Sequence, residues 1–294
     1  MGQDHLFGPR RLGASGLEVS ALGVGTNRWG RRGQPDSGPF AVLKASLDVG
    51  VSFFDTAEVY MAGRSERTLG RSCREDGRPM VVASKLAPYP WRLSHAQFER
   101  VLNDTLGRLG RESIDLYYLH FPSSPVRIER WMDWMAEAVG SGKIRAVGVS
   151  NYDVSQMRRA RDALGRRGVA LAANQVEYSV LHRKPERDGV LDACRELDVA
   201  LVAYRPLGGG TVRAGSGRDG DKAMILENLA RIAGDRGSIS LRQVALNWLL
   251  CRDNCVIPIP GATKESHAIE NAGALDWRLD ADELAMIDQV SGSL

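Results

Sequence analysis

The sequence predicts an α/β protein, a (β/α)8 TIM barrel with an N-terminal β-hairpin. Three observations carry this expectation. Short apolar, β-branched runs alternate with amphipathic helical stretches along nearly the whole chain, the pattern of parallel βα units. The short runs number eight, which is enough to close a barrel, and 294 residues is an ordinary length for one. No Pro/Gly/Ser-rich linker divides the chain, so residues 1–294 are expected to be one barrel domain, with 1–9 a flexible leader.

The elements follow in order. Arg10 to Ser20, with Gly13 and Gly16 around Ala14 and Ser15 and with Leu17 and Val19 beyond, reads as a small hairpin able to plug the bottom of a barrel. Ala21 to Thr26 is the first barrel strand, where Gly23 and Gly25 permit close approach of another group. The spacing of Phe40, Val42, Leu43 and Leu47 predicts a helix over Phe40 to Val49, ended by Gly50. Val51 and Phe53 start a strand that ends in Asp55, and Ser65 and Glu66 open a short helix. Met80 to Leu86 is the next strand, Ser94 caps a helix carrying Phe98, Val101, Leu102, Thr105 and Leu109, and Ile114 to His120 is the strand after it. Helices over Ile128 to Val139, Val154 to Leu164 and Arg187 to Leu197 alternate with strands over Ile144 to Ser150, Leu171 to Val176 and Val199 to Tyr204. A Gly-rich segment, Gly208 to Gly220, leads to helices over Ala223 to Ala233 and Leu241 to Leu250, then to the last strand, Cys255 to Pro260, and a helix holding Glu270 and Asn271.

Composition narrows the function classes. Hydrophobic residues make up 43% of the chain, and no run nears the roughly 18 apolar residues of a membrane span, so a soluble protein with no membrane partner is expected. The formal charge of +3 is small and the arginines are interspersed with acids, which argues against a nucleic-acid partner. Cys73, Cys194, Cys251 and Cys255 lack the paired spacing of a zinc ribbon or a disulfide framework and are expected as buried thiols in a reducing compartment. Met1 to Pro9 contains no apolar signal core, so the expected location is cytoplasmic.

Three consecutive strands finish in groups with acid–base chemistry. The stretch from Phe53 to Tyr60 delivers the acid Asp55 and the phenol of Tyr60 to one end of the sheet, the next strand carries Lys85, and the one after it ends in His120. A free phenol, with a pKa of roughly 10, is a poor proton donor at neutral pH and needs a cation nearby. Taken singly, Asp55 could be a helix cap, Lys85 a solvated strand end and His120 a structural histidine. Together they occupy the strand ends from which a parallel barrel draws its catalytic groups. The constellation resembles, residue by residue, the catalytic tetrad of the aldo-keto reductases. The chain is similar to the branch of that superfamily that includes the potassium-channel β subunits.

The remaining strand ends suit a nucleotide. Ser150, Asn151 and Gln175 offer a hydroxyl and two carboxamides, groups that both donate and accept hydrogen bonds, although Ser150 and Asn151 could instead cap the next helix in competition with Asp153. Tyr204 can stack on a flat ring, and the glycines from Gly208 to Gly210 either expose amides to a pyrophosphate or form a flexible linker. Pro258 to His267 runs into a helix N-terminus, which favours anions, beside Lys264. The resemblance implies that Ser150, Asn151 and Gln175 hold a nicotinamide carboxamide and that Tyr204 stacks on its ring. It further implies phosphate contacts from Leu207 and Gly208, a charge for the 2′-phosphate from Lys264, an adenine contact from Glu270 and Asn271, and cofactor-binding positions at Thr26, Arg205, Pro206, Gly261, Thr263 and His267, with Arg205 either reaching the pyrophosphate or pointing away. Four positions depart from the family pattern: Met61 for a glycine, Arg205 for a serine, Thr263 for a common arginine, and His267 for Arg or Gln. The implied cofactor is NADP(H), extended across the barrel mouth.

The activity that the resemblance implies is NADP(H)-dependent reduction of an aldehyde or ketone, or oxidation of the matching alcohol or sugar. Tyr60 would be the general acid/base, Lys85 would favour its phenolate, Asp55 would orient Lys85, and His120 would place the carbonyl oxygen, with no metal involved. Two other classes stay open. One is an NADPH-binding regulatory subunit of the channel-β type with little turnover, and the other is a metal-dependent barrel hydrolase, for which the strand ends show no close His pair or carboxylate cluster. Trp29, Met61, Tyr89, Trp91 and Phe121, in loops beyond the strand ends, are expected to wall an apolar and aromatic substrate pocket. The chain lacks a long C-terminal loop, so the pocket is expected to be open.

Overall fold

The computed structural model describes residues 5–122, 125–214 and 220–292. An antiparallel hairpin, β1 (Arg10–Arg11) and β2 (Glu18–Val19), precedes eight parallel strands. These are β3 (Gly23–Gly25), β4 (Phe53–Asp55), β5 (Val81–Leu86), β6 (Ile114–Leu119), β7 (Ile144–Ser150), β8 (Leu171–Glu177), β9 (Ala200–Tyr204) and β10 (Val256–Pro258), each paired to the next in chain order. The seam between β10 and β3 nearly closes, because the Gly25 amide donates to the Pro260 carbonyl at 3.0 Å and Gly25 bridges Gly261 in parallel. The expected barrel with its N-terminal hairpin is the fold observed.

Helices join the strands: α1 (Ser37–Asp48), α2 (Arg64–Asp76), α3 (His95–Leu109), α4 (Ile128–Gly140), α5 (Val154–Gly165), α6 (Lys184–Arg187) and α7 (Val190–Glu196). Three more, α8 (Thr211–Ala214), α9 (Gly220–Asp235) and α10 (Leu241–Arg252), lie between β9 and β10, and α11 (Glu265–Ala272) and α12 (Ala281–Ser291) follow. Local chemistry sets many of the boundaries. Ser94, Asp153, Ser240 and Asp280 each cap a helix while the Gln or Glu three residues on reaches back to the cap amide. Asp153 is therefore the cap of α5, and Ser150 and Asn151 are left for other partners.

Two boundaries differ from expectation. The helix opened by Ser65 and Glu66 runs to Asp76, and the expected helix from Arg187 splits where Gly189 takes a left-handed conformation, φ 73°. The Gly-rich segment folds into a 3-10 turn at Gly208–Gly210 followed by α8, and its residues 215–219 lie outside the described residues.

Two apolar layers hold the fold. The larger one packs the helices on the outside of the sheet, and the smaller one fills the barrel with Phe53, Ala83, Leu116, Tyr118, Ala146, Ala173, Val202 and Ile257. Tyr118 fits only because Gly148 lies beside it in register, since a Cβ at Gly148 would stand 2.4 Å from the Tyr118 ring. Leu12, Leu17 and Val19 of the hairpin join this inner layer and plug the end where the strands begin. Behind them Arg10 is 5% exposed and spends its guanidinium on the carbonyls of Leu250, Asp253 and Val256. Residues 5–9 are not a free leader. Phe7 is buried in the core, its amide reaches the Leu275 carbonyl, and His5 bonds Asp276 and the Val49 carbonyl. The cysteines are free thiols, and burial pushes Cys73 up to about 11 and Cys255 up to about 12.

Candidate active site

The four tetrad positions converge at the C-terminal mouth. Asp55 ends β4, Lys85 stands near the end of β5, His120 follows β6, and Tyr60 opens a 3-10 turn, Tyr60–Gly63, just beyond β4. Lys85 is fully buried, and its ammonium donates to Asp55 Oδ2 at 2.5 Å, to the Thr56 carbonyl at 2.8 Å and to the Tyr60 hydroxyl at 3.3 Å. All three of its protons are thus committed. Asp55 Oδ1 accepts from Gln175 Nε2 at 2.8 Å, so the carboxylate is held from both sides. Below it Thr26, Thr56 and Ser65 form a buried hydroxyl cluster, with Thr26 donating to the Asp55 carbonyl.

Burial sets the protonation states. Burial is the largest influence on Tyr60 and raises its pKa above the ordinary 10.0, outweighing the pull of Lys85 in the other direction. Lys85 pulls the phenol toward the phenolate, and desolvation of the anion is the larger effect. Burial acts to lower Lys85, but the Asp55 carboxylate and the Tyr60 phenol outweigh it and raise the ammonium. Burial, assisted by Lys85, lowers His120 to about 3, so it is a neutral imidazole. Its ring stands edge-on to Tyr60 with centroids 5.9 Å apart and stacks on Phe121 at 4.4 Å, and its Nδ1 is buried without a partner.

A cleft of about 510 Å³ opens over these groups. Of the expected residues it is lined by Asp55, Tyr60, His120, Phe121, Ser150, Asn151, Gln175, Tyr204, Arg205, Pro206, Leu207, Gly261, Thr263 and His267. Asn151 uses its whole carboxamide: its nitrogen donates to Ser150 Oγ and the His120 carbonyl, and its oxygen accepts from the Tyr204 hydroxyl at 3.0 Å. Arg205 turns to Glu177 at 3.5 Å.

Other expected residues lie elsewhere. Trp29 is fully buried, donates its indole N–H to the Ala262 carbonyl at 2.8 Å and packs on Phe54, so it is core and not pocket wall. Tyr89 and Trp91 stack on each other at 4.7 Å, exposed and outside the cleft lining, because Arg92 over the Tyr89 ring and bonded to Glu58 turns their loop outward. Thr26 is buried beneath the cleft, and Gly208 abuts Leu181, where a Cβ would come within 2.7 Å. Lys264 is an exposed N-cap of α11, Glu270 pairs with Arg242, and Asn271 is buried with its side-chain oxygen unpartnered. Met61 lines a second cavity beside the first.

The sequence reading missed Asn27, Arg28 and Arg242 in the cleft lining. Asn27 and Arg28 sit in the loop beyond the first barrel strand, a place where site residues are expected. Arg242 carries no such signal, being one polar residue on a helix face. Among the described residues, no group of three or more His, Cys, Asp or Glu side chains is placed to hold a metal ion, and no helix is long and apolar enough to cross a membrane.

Fold and mouth together define the class: a parallel barrel enzyme with acid–base groups gathered at the C-terminal strand ends. Residues 21–291 match the Aldo/keto reductase family. The chain is 32% identical to the chloroplastic pyridoxal reductase of Arabidopsis thaliana over 96% of this chain and 86% of that protein. It is likewise 32% identical to a 6-dehydroglucose reductase of Novosphingobium aromaticivorans, over 92% and 90% of the two chains. A solved aldo-keto reductase of Klebsiella pneumoniae in complex with NADPH superposes with a TM-score of 0.83 at 32% identity, over 96% of this chain and 94% of that one. The chain therefore belongs to the aldo/keto reductase family.

Proposed function

We propose that this protein is an NADP(H)-dependent oxidoreductase that reduces an aldehyde or ketone, with Tyr60 as the general acid/base. The observation that carries the reading is the contact of the Lys85 ammonium with the Tyr60 hydroxyl, 3.3 Å, at the floor of an open cleft. The cleft fits an extended dinucleotide. A Cβ at Gly210 would meet nothing within 4 Å and one at Gly261 only the Gly25 carbonyl at 3.8 Å, so both leave bare backbone on the cleft. Tyr204, its hydroxyl tied to Asn151, presents a fixed ring for stacking, and the first turn of α11 with Thr263, Lys264 and His267 suits the 2′-phosphate.

Bound NADPH supplies hydride for the carbonyl carbon. Tyr60, kept a phenol by burial, holds the proton for the oxygen, and Lys85 stabilises the phenolate left behind. Asp55, clamped by Gln175, fixes Lys85, and neutral His120 beside Tyr60 offers a hydrogen bond to the substrate oxygen.

The test is NADPH consumption over a panel of aldehydes and ketones by the wild type and Tyr60→Phe. Turnover that falls by about 10²–10⁴ in the variant, with NADPH affinity retained, supports the reading. Tight NADPH binding without turnover by the wild type would assign the chain to a regulatory role of the channel-β type instead. A Tyr60→Phe protein as fast as the wild type would remove Tyr60 from the chemistry.

A further inference from the structure

A histidine that presents one ring nitrogen to a ligand is ordinarily oriented by a hydrogen bond at the other. In His120 that bond is missing: Nδ1 is buried and, among the described residues, has no partner, so no hydrogen bond there fixes the ring plane or the tautomer. The backbone is secured, because the His120 amide donates to the Leu86 carbonyl at 2.9 Å and the Asn151 carboxamide donates to the His120 carbonyl at 3.4 Å. The side chain still has two torsions to turn about. Ring contacts are left to restrain them.

Those contacts differ in kind. Phe121 lies parallel to the imidazole, with planes 3° apart and centroids 4.4 Å apart, whereas Tyr60 meets it edge-on at 80° and 5.9 Å. A face-to-face contact resists tilting, since a tilted ring either cuts into its neighbour or opens a gap, while an edge contact at the longer distance is more permissive. Phe121 also covers one face of His120. It lines the cleft and is 43% exposed, and the imidazole beside it is 8% exposed. The titratable groups facing His120 are Tyr60, from the turn after β4, and Lys85, on β5, which assists burial in keeping the ring uncharged.

Resting on the proposed carbonyl reduction, in which His120 meets the substrate oxygen, we infer that Phe121 is the positioning residue for His120: its ring face fixes the imidazole plane, aims Nε2 into the cleft and keeps water off the ring. A donor misplaced by about 1 Å costs about 10²-fold in rate, so partial loss of alignment is measurable.

Two measurements test the inference, one of them independent of turnover. In protein with isotope-labelled histidine, the NMR signals of the His120 ring, assigned by their loss in His120→Gln, should show a neutral imidazole down to about pH 5 in the wild type and in Phe121→Tyr. In Phe121→Ala, which opens one face to water, the ring should titrate above about pH 5, toward the ordinary value of about 6.5. The single-turnover rate with a small aliphatic aldehyde should fall about three- to tenfold in Phe121→Leu, which is apolar without a flat face, and stay within about twofold in Phe121→Tyr. In a His120→Gln background Phe121→Leu should have no further effect, because nothing is left to position. An equal loss with and without His120 would make Phe121 a substrate wall and overturn the inference, as would an unchanged His120 titration in Phe121→Ala. If the titration moves as expected but the wild type reduces no carbonyl, the positioning of His120 stands and the proposed reaction fails.

Discussion

The two ends of this barrel are made from the same strands and treat polar groups in opposite ways. At the hairpin end Arg10 is a buried charge that donates to three carbonyls, while burial lowers its pKa to about 10 and leaves it ionised at neutral pH. At the open end a buried ion pair of Lys85 and Asp55 sits under a buried phenol, the Nδ1 of His120 has no partner, and four of the five non-glycine residues with positive φ among the described residues gather there: Met61, Ala62, Asn151 and Arg205. The fifth, Asp198, lies beside the hairpin. Backbone strain thus gathers at the end that carries the candidate site.

Substitutions that exchange the properties of the ends sharpen the contrast. The largest effect is expected for Lys85→Met, which strands the Asp55 carboxylate in the interior; stability should drop by about 3–5 kcal/mol in urea unfolding, and reduction should be lost. Adding Asp55→Asn should restore most of the stability and none of the activity. Recovery of turnover by the double variant would mean that the pair serves packing alone. At the other end, Arg10→Met should cost about 1.5–3 kcal/mol from its lost charge-assisted bonds, while specific activity of the folded protein stays unchanged. A changed KM there would show that the ends are coupled. The smallest effect is expected for Met61→Gly: its backbone sits at φ 50° and ψ 35°, where a side chain costs about 1–2 kcal/mol, so relief offset by glycine's unfolded entropy should raise the urea midpoint by up to about 1 kcal/mol in stability. A fall in the midpoint would show that packing of the Met61 side chain outweighs the strain.

The sequence disclosed the barrel because each strand is a compact apolar run and most helices have caps written into them, as at Ser94 and Asp153. It understated α2 for a physical reason: that helix buries Ser65, Glu66, Thr68, Gly70 and Ser72, polar or small residues satisfied from elsewhere, so little apolar periodicity marks it. Glu66, for example, is paid for by Ser84 and Arg108, 18 and 42 residues away. The convergence of Asp55, Tyr60, Lys85 and His120 was legible because strand ends map onto one mouth. Trp29 was not, since its indole partner, Ala262, is 233 residues distant. Nor was the role of Gln175 as a clamp on Asp55, which depends on two strands meeting across the barrel interior. Loop residues posed the same difficulty, because Tyr89 and Trp91 look like pocket walls until Arg92 and Glu58 are seen to fix their loop.

The central claim is that burial at the open end keeps Tyr60 a phenol and His120 an uncharged imidazole throughout the neutral range. It is tested most directly by the pH dependence of the single-turnover rate of carbonyl reduction by the enzyme preloaded with NADPH. Burial holds Tyr60 above its ordinary 10.0 and His120 down at about 3, so the proposed proton donor and the proposed neutral hydrogen-bond partner are both present between those limits. The rate should be level from about pH 6 to about pH 9, with no inflection near the ordinary histidine value of about 6.5. An inflection there that disappears in His120→Gln, or a decline beginning between about pH 7 and 8, would contradict the account, the first by showing His120 ionising and the second by showing that Lys85, not burial, governs Tyr60.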